Sequence, residues 1–96
     1  MYGDMPMEKI KSFQIKNELG LHARAAALMV QISNNFKAKI SIEKDGVEVN
    51  GKSILGILTL ACPKGSTISV RAEGSDAQEA LEEIGKLIDD KFGEKA

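Results

Sequence analysis

Residues 17–30 read Asn-Glu-Leu-Gly-Leu-His-Ala-Arg-Ala-Ala-Ala-Leu-Met-Val and hold the chain's only histidine. Strand-like and then turn-like sequence precedes His22, with Gly20 as a breaker; an Ala/Leu/Met-rich run with strong helix propensity follows it. The spacing predicts a strand, a short approach and a helix over residues 23 to about 34, with His22 at or beside the N-cap and Asn34-Asn35 as the stop.

A helix N-terminus leaves backbone N–H groups unpaired and carries the positive end of the macrodipole, so it suits an anion such as a phosphoryl group. The same field disfavours a protonated imidazole placed there and leaves a ring nitrogen available as a nucleophile. Arg24, in the first turn, offers a planar fork of donors to phosphoryl oxygens, beside the backbone amides of Ala23 and Arg24. Taken alone, these residues are also compatible with a histidine that merely caps or packs a helix.

Residues 9–15 place Lys11, Phe13 and Ile15 on one face and Ile10, Ser12 and Gln14 on the other, which predicts a first strand. Ile40 and Ile42 alternate with Lys39, Ser41 and Glu43; Asp45-Gly46 is a hairpin signal, and Val47 and Val49 continue in a short return strand. Ser53 can cap a short helix to about Leu60, with Ile57, Leu60 and Ala61 toward the core and Ile54, Leu55 and Leu58 on another side. Residues 67–72 read as the last strand, with Ile68 and Val70 inward. Asp76 and Glu79 fit a capping pair for a third helix, whose apolar stripe runs Ala77, Ala80, Leu81, Ile84, Leu87, Ile88; Glu82 and Lys86 form an i, i+4 pair, and Gly93 closes the helix. The resulting order, βαββαβα, is an α+β two-layer domain with a small antiparallel sheet and helices packed on one face.

A chain of 96 residues supports one modest core, and a formal net charge of −1 gives no basic field for nucleic acid or an anionic membrane. Aromatic residues make up 4%, with no Trp, which leaves little for base stacking. No apolar run approaches the ~20 residues that span a bilayer, and no signal-peptide pattern opens the chain. The single cysteine, Cys62, reads as a small hydrophobe near the Pro63 turn; no Cys and His cluster has metal-ligand spacing, and no second histidine supplies a hydrolase-like site. Residues 1–7, polar and irregular, are set apart as a lead-in, a natural extension or an expression remnant, with the domain spanning residues 8–96.

Gly20-Leu21-His22-Ala23-Arg24, preceded by Asn17 and followed by Ala26-Ala27, closely resembles the active-site signature of the HPr family, the histidine-containing phosphocarriers of the phosphoenolpyruvate-dependent sugar phosphotransferase system. A second stretch, Val49-Asn50-Gly51-Lys52-Ser53-Ile54-Leu55-Gly56, is similar to that family's regulatory-serine segment, and the likeness runs from about Glu8 to Phe92. The resemblance implies an open-faced sandwich in which His22 accepts a phosphoryl group on Nδ1 from phosphorylated enzyme I and passes it to enzyme IIA domains. It implies a carrier rather than a free-standing catalyst, with no metal or cofactor. Arg24 and the amides of Ala23 and Arg24 would hold the phosphoryl group; Leu21, Ile54, Leu55 and Leu58 would lie on the docking surface. Ser53 would be the target of an HPr kinase/phosphorylase, creating a surface for a transcriptional regulator. The alternative is a mainly regulatory phosphoprotein of an incomplete phosphotransferase chain, although such a protein could discard the histidine. Two positions depart from the family pattern: Ala25 stands where proline is usual, and Ala61 where glycine is frequent. A monomer in the cytoplasm is expected.

Overall fold

The computed structural model describes residues 7–96. Its strands are β1 (Glu8–Gln14), β2 (Lys39–Lys44), β3 (Val47–Asn50) and β4 (Thr67–Glu73); its helices are α1 (Ala23–Ser33), α2 (Ile54–Thr59) and α3 (Ala77–Asp89). The strands form a four-stranded antiparallel sheet in the order β1-β4-β2-β3. The helices cover one face, giving the βαββαβα open-faced sandwich.

Alternation along the central strands builds the core. Ile68, Val70 and Ala72 of β4 and Ile40 and Ile42 of β2 are no more than 1% exposed, and Met29, Ile57, Ile84 and Ile88 come down on them from the three helices. Each of these Ile, Val and Met side chains contributes about 1.5–3 kcal/mol by leaving water. The Asp45-Gly46 turn joins β2 to β3 with φ of +51° and +84°. Two successive left-handed residues match the twist of a tight hairpin.

Several expectations are corrected. Strand β1 begins and ends one residue earlier than expected, and the carbonyl of Met7 accepts from Gly74 N–H at 2.8 Å, so the pairing reaches a residue set aside with the lead-in. The rest of that lead-in, residues 1–6, lies outside the described residues. Ala61 is exposed rather than buried, because φ of +51° there turns the chain out after α2. Asp76 makes no side-chain cap on α3. Its backbone is not extended (φ −105°, ψ 22°), and its carboxylate accepts instead from the N–H groups of Lys37 and Ala38 at 2.8 and 2.9 Å. Lys86 pairs with Glu83 at 3.1 Å, while Glu82 accepts from Gln78, so the expected Glu82–Lys86 pair does not form.

Helix α3 also ends before Gly93. Lys91 and Phe92 both have positive φ, at +56° and +57°, in a short 3₁₀ turn that reverses the chain and buries Phe92 to 4% exposure. That reversal sends residues 94–96 back across the end of the sheet where α1 begins.

Candidate functional site

The approach to His22 is held at both ends. Ile15 N–H donates to Ser66 O and Gly65 N–H donates to Ile15 O, each at 2.8 Å, and Leu21 N–H donates to Cys62 O at 2.9 Å. Gly20 lies so close to that turn, with φ of +66°, that a Cβ there would sit 2.3 Å from Cys62 O. Glycine is the residue that tolerates both conditions. The chain then reaches His22 in extended geometry (φ −74°, ψ 178°), the N-cap of α1, and the first helical bond runs from Ala26 N–H to His22 O at 2.9 Å.

The imidazole makes no cap bond to its own helix, and its side chain is 28% exposed. Among the described residues, the N–H groups of Ala23, Arg24 and Ala25 have no protein acceptor, so the helix mouth carries open donors. Ala25, where proline would have removed one of them, keeps its N–H. Arg24 is exposed and has no ion-pair partner among the described residues.

Two residues complete this corner that sequence reasoning gave no role. Glu94 Oε2 lies 2.5 Å from His22 Nε2, and Glu94 Oε1 accepts from Asn17 Nδ2 at 3.0 Å. Asn17, fully buried, also donates from Nδ2 to Gly20 O at 2.8 Å. The Asn17 amide, then the His22 ring, hold the Glu94 carboxyl below the usual carboxylate range, and the nearby Arg24 charge adds to the effect. The imidazole thus faces a carboxylate as well as the mouth of α1. No local pattern in the sequence signals these contacts, which join residues more than 70 positions apart.

Of the expected docking residues, Leu21 is corrected: it is 5% exposed and belongs to the core, because the Cys62 contact turns its side chain inward. Ile54 and Leu55 are 40% and 77% exposed, while Leu58 is half-buried against the core. Ser53 caps α2, its hydroxyl accepting from Gly56 N–H at 3.0 Å. Cys62 is buried, and burial pushes its thiol upward.

A small sheet-and-helix platform that presents one partly exposed histidine at the mouth of a helix is an open surface site, of the kind from which a group can be handed between proteins. A family model described as the PTS HPr component phosphorylation site matches residues 9–90. The chain is 49% identical over 79 residues to the HPr-like protein Crh of Halalkalibacterium halodurans, covering 82% of this chain and 94% of that protein. It is 42% identical over 80 residues to the phosphocarrier protein HPr of Cupriavidus necator, covering 83% and 90%. The crystal structure of HPr from Thermoanaerobacter tengcongensis superposes with a TM-score of 0.89 at 45% identity, covering 92% of this chain and 99% of that one. The chain belongs to the HPr family, the phosphocarriers of the phosphotransferase system.

Proposed function

We propose that His22 is the residue that carries the phosphoryl group, taking it from phosphorylated enzyme I and giving it to enzyme IIA domains, with Arg24 and the amides of Ala23 and Arg24 binding its oxygens. The observation that carries this reading is the partly exposed imidazole at the N-cap of α1, beside amides with no protein acceptor. An open site of this kind suits a relay, since a few donors hold the cargo without trapping it. Incubation with phosphoenolpyruvate and enzyme I is the test. His22→Ala abolishes acid-labile labelling, and Arg24→Ala slows transfer about tenfold or more while the thermal midpoint stays put, as expected for a lost charge-assisted contact to the transferring group. Retained labelling of the His22→Ala protein refutes the assignment.

Ile54 and Leu55, exposed on α2, are proposed to meet those partners, with the half-buried Leu58 at the margin. Ser53 is proposed as a regulatory site for an HPr kinase/phosphorylase. A phosphate there adds about −1.5 to −2 charge, which the start of α2 tolerates but which opposes docking across Ile54 and Leu55. Ser53→Asp should lower the transfer rate several-fold without unfolding; unchanged kinetics argue against regulation. A mainly regulatory role, through a transcriptional regulator, draws partial support from the 40% identity to Crh of Bacillus subtilis, described as a catabolite repression HPr. The partly exposed His22 ring favours the carrier.

The described residues contain no helix long and apolar enough to cross a membrane. A cytoplasmic site of action fits a relay between phosphotransferase proteins. The expected monomer meets relatives that behave otherwise: Crh of Bacillus subtilis crystallised as a dimer with a swapped domain, and a dimer of the Thermoanaerobacter tengcongensis HPr is known. Here Lys9 and Lys11 on the edge strand β1 guard against edge pairing. Sedimentation at micromolar concentration decides between a monomer and an exchanged dimer.

A further inference from the structure

We infer that Glu94 is a positioning residue for the phosphoacceptor: its carboxylate engages Nε2–H of His22, leaves the ring's lone pair on Nδ1, and offsets the charge that the ring acquires when it is phosphorylated. The inference rests on the reading of His22 as acceptor and deepens it.

An ionised carboxylate can only accept hydrogen bonds, so in the 2.5 Å contact Nε2–H donates to Glu94 Oε2. A neutral imidazole has one N–H, and its lone pair then falls on Nδ1, which has no hydrogen-bond partner among the described residues. Glu94 is itself aimed. Its other oxygen accepts from the buried Asn17 amide, which also grips Gly20 O, so one side chain ties the carboxylate to the approach loop of the histidine. The backbone on either side is fixed by the burial of Phe92 and by the bond from Glu18 N–H to Ala96 O at 3.0 Å. With the two side chains 28% and 21% exposed, water screens the pair only partly.

In phosphoryl uptake, the Nδ1 pair forms a bond to phosphorus as the donor's bond to phosphorus breaks, and that electron pair stays with the donor. No proton leaves the ring, which becomes a phosphoimidazolium with Glu94 against its Nε2–H. In onward transfer the Nδ1–P bond breaks, its pair returns to Nδ1, and the ring is neutral again. Glu94 thus acts on the charged state in both directions without touching the phosphorus.

The test compares the parent with Glu94→Ala and Glu94→Gln in two measurements. Long-range ¹H–¹⁵N spectra of the unphosphorylated, neutral ring report the tautomer, and enzyme I-dependent uptake reports the rate. The parent should show a protonated Nε2 and a bare Nδ1. In Glu94→Ala the two ¹⁵N shifts draw together as the proton redistributes, whereas Glu94→Gln keeps the parent pattern because its amide oxygen still accepts. Both variants lose about tenfold in rate, the effect of one charge-assisted hydrogen bond missing from the transition state. A Glu94→Ala spectrum identical to the parent's, a bare Nε2 in the parent, or a Glu94→Ala rate within twofold of the parent's overturns the inference. If His22→Ala still acquires acid-labile phosphate, the acceptor reading fails and the transfer half of the inference falls with it. The spectra, taken without phosphate, then still decide the orientation half.

Discussion

At Gly20 the backbone stands at φ +66°, and the space where a side chain would begin is filled by the Cys62 carbonyl. Gly20→Ala combines left-handed strain with a clash against backbone, and it should cost about 3 kcal/mol in urea unfolding, a large share of the stability of a domain this size. Since Leu21 N–H bonds to the same carbonyl oxygen, the substitution also displaces the segment that delivers His22, and transfer should fall in the folded fraction too. Gly20, His22 and Ser53 were legible in the sequence because each sits in a turn or cap, where a few neighbouring residues determine the backbone. Leu21 was misread for a related reason: neighbours placed it near the site, but the tertiary contact that turns it inward is 41 residues away. The Asn17–Glu94 contact spans 77 residues, and no pattern in a single sequence announces a bond of that kind.

Helices α1 and α3 were readable from their apolar stripes, yet what locks them together was not. Asp76 has the residue type of an N-cap, and local reasoning gave it that task; in the fold its carboxylate gathers the backbone just beyond α1 instead. The amides, with that of Lys37 the strongest influence, hold the Asp76 carboxyl below its ordinary range. A carboxyl whose folded value lies below its unfolded one stabilises the fold above the unfolded value, about 3.9 for Asp, and loses that contribution as pH falls through the folded value. Glu94 acts with the same sign. Thermal melts of the parent should therefore weaken as pH drops below about 4, with more than these two groups contributing. Asp76→Asn should melt a few degrees lower than the parent at pH 7 and converge with it in acid, a comparison that isolates this carboxylate; a gap independent of pH would assign the loss to geometry alone.

Seen entire, the chain brings the approach loop, the turn around Cys62 and the returning C-terminal segment to one end of the sheet, although they are distant in sequence. Periodicity predicted the order of the elements, because burial of one face per strand and one stripe per helix is written into each segment. The pairing order β1-β4-β2-β3 is a long-range choice, and the tail's return depends on two non-glycine residues adopting positive φ, which sequence disfavours. Burial of Phe92 is what makes that conformation worth adopting. The core and the site can consequently be separated at this point. Phe92→Ala empties a core position and should cost about 3–5 kcal/mol, with loss of the His22–Glu94 contact as the turn relaxes. Deleting residues 94–96 leaves Phe92 in place and should cost no more than about 1–2 kcal/mol in urea unfolding, since only a few partly exposed hydrogen bonds disappear. Equal losses from the two changes would mean that the tail, and not the buried ring, anchors this end of the molecule.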